Sequence, residues 1–267
     1  MSYLIAPHGG LSEPVEQMVS AEEAEAFRGE AAGLYRVPVS SGDLSTVYRL
    51  GDGTLSPLVG PMTRDVFERG LDESDLAADP IQQFKKWFAE VGEAGYWEPD
   101  AMVVSTITGD GWPSARNVLL KRIDERGFVF YTNFTSDKAV ELDLTGRAAL
   151  TFSWTELRRQ VRVVGPAGRL SAEESDRYWA TRPRGSRLGA WASDQSRPLP
   201  SRTVFMDRYE AVRARFEGSP VPRPPHWSGF RVTPERIEFW QDREHRLHER
   251  RLFEATATGW RETMLYP

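Results

Sequence analysis

Ile237-Glu238-Phe239-Trp240-Gln241-Asp242-Arg243-Glu244-His245-Arg246-Leu247-His248-Glu249-Arg250 is the stretch on which the reading of this chain turns. Isoleucine, phenylalanine and tryptophan favour a pleated, half-buried surface, so Arg236–Gln241 reads as a strand. Gln241 to Glu244 then supplies a polar turn. A second strand is predicted over Arg246–Phe253. Side chains alternate along a strand, so Arg246, His248 and Arg250 would project from one face. Two guanidiniums flanking an imidazole make a poor core. Two readings fit that face: a solvated edge strand blunted by charge, or a surface that holds a phosphate and acts on the ring attached to it.

Working outward, short strand candidates recur at Ala101–Thr108, Arg116–Arg122, Gly127–Asn133, Ala148–Trp154, Leu157–Gly165 and Gly229–Val232. Asp110-Gly111 and Asp124-Glu125-Arg126-Gly127 punctuate the first three as hairpin turns. Ile81, Phe84, Phe88 and Val91 recur at helical spacing after Asp79-Pro80, and that helix stops near Gly95. Ala172–Thr181 and Pro200–Phe216 also read as helices, and the latter leads into the proline-rich connector Pro220–Pro225. Many short strands with local turns and few helices indicate a mainly β chain of the α+β kind: an antiparallel barrel with surrounding helices. Residues 1–69 differ in character and read as a small N-terminal extension, with 70–267 as the main domain. Ser20 and Glu23 form a capping box for a helix ending at Gly33, and no strand periodicity stands out in the extension.

Composition narrows the chemistry. The 267 residues carry a formal net charge of −5, which argues against nucleic-acid binding by bulk electrostatics. Cysteine is absent, which excludes disulfides, thiolate metal sites and cysteine nucleophiles. His8, His226, His245 and His248 are the only histidines, and no metal site is expected. No apolar run reaches the roughly 18 residues of a membrane span and no leader is apparent, so a cytoplasmic protein without membrane contact is expected.

Local basic clusters stand out against this acidic background. Arg116-Asn117-Val118-Leu119-Leu120-Lys121 is an apolar strand with a cation at each end, and a regular strand would point the two cations to opposite faces. Tyr131-Thr132-Asn133 closes the next strand, and Ser136-Asp137-Lys138 opens a helix. Its amides with Ser136 and Lys138 could cradle an anion, or Ser136 could be only a cap. Val161 and Val163 share one strand face, with Gln160 and Arg162 on the other. Tyr178 and Arg182 share a helix face, Pro183 ends that helix, and Ser186 follows in a turn crowded by Arg182, Arg184 and Arg187. Trp191 anchors a further polar turn containing Gln195 and Ser196.

The Glu-aromatic-Trp run followed by Arg-hydrophobic-His-acidic-Arg resembles the C-terminal motif of the pyridoxamine/pyridoxine 5'-phosphate oxidases. The other segments resemble that family in the same order, over about residues 64–267. The resemblance implies an FMN-binding split barrel that forms a homodimer with shared active sites. It implies flavin mononucleotide (FMN) contacts at Arg116, Asn117, Val118, Leu119, Leu120, Lys121, Tyr131, Thr132, Lys138 and Gln160, completed by Gln195, Ser196, Trp240 and Arg250. It implies that Lys121, Tyr178, Arg182 and Ser186 grip the substrate phosphate, with Arg246 and His248 as the catalytic pair over the pyridine ring. Arg64 and Phe67 fall where the family carries an Arg and a Tyr on an N-terminal segment. The activity implied is oxidation of pyridoxamine or pyridoxine 5'-phosphate to pyridoxal 5'-phosphate, with dioxygen reduced to hydrogen peroxide. A same-fold oxidase of a phenazine-like intermediate and a non-catalytic flavin- or pyridoxal-phosphate-binding module are the alternatives.

One position departs from that pattern. The family usually has Arg where this chain has Asp137, and a carboxylate there is expected to repel a flavin phosphate. The N-terminal segment, through PHGGL, EEAEAFRGEAAGL and LSPLVGPM, resembles the leading piece of sulfate adenylyltransferases. Their nucleotide-binding motifs are not found here, so no ATP site is expected.

Overall fold

The computed structural model describes residues 70–267, apart from 72–75, 95 and 97, together with the backbone of three earlier strands. These are β1 (Gly33–Pro38), β2 (Ser45–Gly51) and β3 (Thr54–Pro57), which form an antiparallel meander with Tyr35 opposite Tyr48 and Arg49 opposite Ser56. The extension thus holds strands although its sequence shows no strand periodicity. Leu34-Tyr35 and Val47-Tyr48 are good strand formers, but their apolar residues fall side by side, so no alternation betrays them. The helix expected over 20–33 and the positions Arg64 and Phe67 lie outside the described residues. Gly33, expected to end that helix, instead begins β1.

Helix α1 (Pro80–Glu93) starts where the sequence signals it. The Asp79 carboxylate accepts from the Ile81 amide at 2.7 Å, and Pro80 occupies the first turn, where no amide is needed. Its inner face buries Ile81, Phe84, Trp87 and Val91, while Phe88 is only half-buried. Phe84 meets Phe128 and Phe152 edge-on at 4.9 and 4.8 Å, and Trp87 meets Phe239 at 5.2 Å. Burying a side chain of this size contributes about 1.5–3 kcal/mol. The helix is thereby packed against the barrel core.

The barrel follows: β4 (Ala101–Ile107), β5 (Pro113–Leu119), β6 (Arg122–Asp124), β7 (Gly127–Asn133), α2 (Asp137–Thr145), β8 (Arg147–Trp154) and β9 (Arg159–Arg169). Helices α3 (Ala172–Thr181), α4 (Arg184–Ala192) and α5 (Arg202–Arg215) precede β10 (Trp227–Val232), β11 (Arg236–Gln241), β12 (Glu249–Thr256) and β13 (Gly259–Leu265). Every pairing is antiparallel, and the main path runs β13-β12-β11-β9-β10-β7-β6. Strand β8 also pairs with β9, and β4 links β8 to β5. Strand β9 is the hinge of this topology: its first part pairs with β8 and β11, and its end with β10. At the changeover a Cβ on Gly165 would collide with the Thr233 carbonyl, so only glycine admits this approach. The result is the expected antiparallel split barrel with helices around it.

Four local expectations are corrected. Strand β9 begins at Arg159, after a 3-10 turn at Thr155–Leu157. Ser186 lies not in a turn but in α4, whose buried Leu188 and Ala192 give a packed face that the glycines and arginines obscure. Strand β13 adds a final edge. Most consequentially, the last predicted strand begins at Glu249, not Arg246. Glu244–Arg246 is a 3-10 turn, with His245 and Arg246 at left-handed φ of 55° and 61°. The alternation argument that grouped Arg246 with His248 and Arg250 therefore does not apply.

Candidate functional site

Strands β5 and β7, the start of α2, the α3–α4 junction and the segment after α4 enclose a cleft of about 910 Å3. Strand β5 ends at Leu119, so Lys121 leaves the pleat and lines the same cleft as Arg116, Asn117, Val118 and Leu119. The expected opposition of the two cations is thereby removed. Leu120 does not line the cleft; its side chain belongs to the buried core.

The Arg116 guanidinium is fixed by Glu141 of α2 at 3.0 Å and by the hydroxyls of Thr106 and Ser114. Lys138, only 7% exposed, donates to the hydroxyls of Thr132 and Ser136 at 3.3 and 3.4 Å. Burial pulls its pKa below the ordinary lysine value, the Arg116 charge adds to that, and Asp137 and Glu141 oppose it. Ser136 holds the cap position of α2, but its side chain makes no capping bond and instead faces Thr132 and Lys138. Among the described residues this buried ammonium donates to hydroxyls and not to a carboxylate, which makes it a ready anion site.

Tyr131, Tyr178 and Trp227 form the cleft's aromatic wall. The Tyr131 ring stacks on Tyr178 at 4.0 Å and on Trp227 at 5.2 Å. Burial, then the Tyr178 and Glu174 charges, push the Tyr131 hydroxyl up to about 12. Arg182 caps α3, lies 4.5 Å from the Trp227 ring centre and donates to the Ser186 carbonyl at 3.1 Å. Burial, seconded by Arg187, lowers its pKa against the raising effect of Tyr178. Lys121 is held by Asp100 at 2.7 Å. Gln195 accepts from the Thr132 hydroxyl at 3.0 Å and the Asn133 amide at 3.2 Å, which brings Ser196 to the rim.

Of the remaining predicted residues, Gln160, Trp240, His248 and Arg250 group on the open face of the sheet, and Arg246 stands on the turn before β12. Gln160 of β9 sits opposite Trp240 of β11, and Trp240 opposite Arg250 of β12. The Trp240 and His248 rings are 4.7 Å apart, and His248 Nδ1 lies 2.9 Å from Asp242 Oδ1. Arg250 donates to Glu238 at 2.8 Å and to the Tyr266 carbonyl at 3.0 Å, while Arg246 stands exposed on its turn. None of these five lines the cleft. Sequence reasoning missed Trp227, which lines the cleft, and Glu141 and Asp100, which hold its cations. Only Trp227, an aromatic following the proline-rich connector, left a local trace.

The family model described as pyridoxamine 5'-phosphate oxidase matches residues 89–216, and that of the pyridoxine 5'-phosphate oxidase C-terminal dimerisation region matches 227–267. A pyridoxine/pyridoxamine 5'-phosphate oxidase from Rubrobacter xylanophilus is 56% identical over 216 residues, 81% of this chain and 99% of the relative. The chain belongs to the pyridoxine/pyridoxamine 5'-phosphate oxidase family. It is an oxidoreductase of that family, and the dimerisation region supports a homodimer. A family relative from Sphingopyxis alaskensis is 54% identical over 192 residues, 72% of this chain and 89% of its own. The crystal structure of PhzG from Burkholderia lata with tetrahydrophenazine-1-carboxylic acid aligns at a TM-score of 0.69 and 34% identity. It covers 73% of this chain and 95% of that one. An FMN-binding oxidase-related protein from Nostoc punctiforme, 15% identical at a TM-score of 0.58, shares the fold. A PUA-like domain model matches residues 5–84, ahead of the oxidase match. Among the described residues no helix is long and apolar enough to cross a membrane.

Proposed function

We propose that the protein oxidises pyridoxamine or pyridoxine 5'-phosphate to pyridoxal 5'-phosphate with bound FMN. The observation that carries this reading is one cleft with two sets of cations beside a stacked aromatic wall. Lys138 and Arg116 form one set, and Lys121 and Arg182 the other. Two phosphate-bearing aromatic ligands account for both sets. The cleft's size lies within the range of about 300–1,000 Å3 typical of small-molecule sites.

FMN, when bound, supplies the hydride acceptor and the route to dioxygen. Lys138, Arg116, Thr132 and Gln195 would hold it by its phosphate and flavin edge. Lys121, Tyr178, Arg182 and Ser186 would grip the substrate phosphate. Arg246, on its exposed turn, and His248, beside the open sheet face, would be delivered by the partner subunit together with Gln160, Trp240 and Arg250. Their task is to orient the reacting carbon, and neither need act as a strong base. Pyridoxine 5'-phosphate and dioxygen give pyridoxal 5'-phosphate and hydrogen peroxide; the amine additionally consumes water and releases ammonia.

Turnover of both phosphorylated vitamers under air with added FMN tests this, with pyridoxal 5'-phosphate and peroxide as readouts. Absence of both products from both substrates overturns it. The likeness to PhzG supports a second reading, oxidation of a tricyclic carboxylate. Turnover of a tetrahydrophenazine carboxylic acid at a higher kcat/KM than either vitamer would select it.

A further inference from the structure

Asp137 and Arg197 form an ion pair at the rim of the cleft. Asp137 lines the cleft, as do Gln195 and Ser196 immediately before Arg197. The segment carrying Arg197 is fastened at several points. Asn133 donates to the Ser193 carbonyl at 3.0 Å, Asp194 pairs with Arg208 of α5 at 2.6 Å, and Gln195 is tied to β7. The Arg197 amide closes the turn on the Asp194 carbonyl at 2.9 Å. Ser196 holds a left-handed φ of 70°, a conformation kept by a non-glycine residue only where its surroundings over-determine it.

The pair itself does not explain this construction. Its side chains are 50% and 55% exposed, and ion pairs so exposed add little stability. Its geometry is more informative. Arg197 reaches the carboxylate through one terminal nitrogen, Nη2 to Oδ1. A guanidinium presents five N–H donors in a rigid fork, so most of the fork is available to a second anion. Next to Asp137 the cleft is lined by Lys138 and Thr132, and the buried Lys138 ammonium donates to the Thr132 and Ser136 hydroxyls.

We propose that Arg197 is a binding residue for the ligand phosphate held by Lys138, and that Asp137 is a positioning residue that aims it. This rests on reading the cleft as an FMN site. It also reverses what the sequence implies for Asp137. The carboxylate is not a bare charge facing the phosphate but the anchor of a cation, and Asp137→Arg would set two guanidiniums against each other.

The experiment titrates apoprotein with FMN and with riboflavin, which lacks the phosphate, by flavin fluorescence. Arg197→Ala should weaken FMN binding about tenfold or more, the usual effect of losing a charge-assisted contact, and leave riboflavin affinity within about twofold. Unchanged riboflavin binding also certifies the fold of the variant. Asp137→Asn should weaken FMN a few-fold in the native background, by freeing Arg197. In the Arg197→Ala background it should strengthen FMN, because there it removes an uncompensated negative charge. Unchanged FMN affinity in Arg197→Ala overturns the assignment, as does equal weakening of both flavins. A native protein that binds riboflavin as tightly as FMN overturns the cofactor reading and this assignment with it.

Discussion

Trp240 and His248 stand 4.7 Å apart by ring centres on a sheet face that also presents Gln160 and Arg250. That face is separate from the cleft lined by Lys138 and Arg182, yet the chemistry of a single site calls for both groups. Under the proposed function, a two-fold dimer would lay the face of one subunit over the cleft of the other. Complementation tests this. Lys138→Ala disables the cleft and Arg246→Ala disables the face, so each homodimer should be nearly inactive. Random mixing makes about half the dimers hybrid, each with one intact site of two, so about one quarter of native activity should return. Mixed variants that stay as inactive as their parents would show that both groups act within one subunit.

Arg246 and Arg250 should separate in their effects. Arg246 sits on an exposed turn at a φ of 61°, free to approach a ligand, whereas Arg250 is tied to Glu238. Arg246→Ala is expected to lower kcat/KM on the order of a hundredfold, because a group that orients the reacting carbon acts through small distances. Its FMN affinity should stay near native. Arg250→Ala should do the reverse, weakening FMN about tenfold or more. Steady-state kinetics at saturating FMN, beside titrations of both variants, read the two roles apart; near-normal turnover in Arg246→Ala removes that residue from the substrate site.

Lys138 makes the cleft sensitive to alkaline pH. Its folded-state pKa is lowered by burial first and Arg116 second, so between that value and the unfolded one the unfolded chain binds more protons. This group therefore makes the apoprotein more stable as pH rises through the window. Anion binding runs the opposite way, since a phosphate needs the charged ammonium. FMN affinity should begin to fall at a pH below that at which an ordinary lysine titrates, because burial and Arg116 lower the Lys138 pKa. Arg stays protonated throughout, so Lys138→Arg should show a flat profile. An equal fall in that variant would assign the pH dependence to another group.

Much of the fold could be read from the chain because its signals were local. The Ile81/Phe84/Val91 spacing after Asp79-Pro80, the glycine-ended turns and the Val161/Val163 alternation all act within a few residues. The cleft's cations on β5, α2 and α3 were likewise visible as basic runs in an acidic chain. What escaped depends on distant partners. Arg246 left its strand because the chain turns at positive φ, a tertiary outcome with no glycine to announce it. Glu141 reads as an ordinary helix-surface carboxylate until Arg116, 25 positions earlier, folds against it. Asp137 read as a defect because Arg197, 60 positions away, is invisible as its partner. In β1 and β2 the apolar residues are adjacent rather than alternate, so the strand signal was lost.

The oxidase unit should tolerate removal of the chain before Gly60 but be destabilised by loss of the Leu71 side chain. Strands β1–β3 pair with one another in a sheet of their own, and the oxidase match begins at residue 89. Leu71, in contrast, is 4% exposed within the barrel core, and its amide donates to Glu249 at 2.5 Å. Arg243 grips the other oxygen of Glu249 at 3.0 Å, so this contact also steadies the turn that carries Arg246. Deleting residues 1–59 is therefore expected to leave a dimer whose Tm changes by no more than about 2 °C. Leu71→Ala in the full chain should cost about 2 kcal/mol or more, from lost burial and the cavity left behind. Thermal unfolding with sizing of both proteins decides the matter. A truncated protein that is insoluble or monomeric would show that the N-terminal strands belong to the barrel or to the dimer, and the boundary would have to be moved.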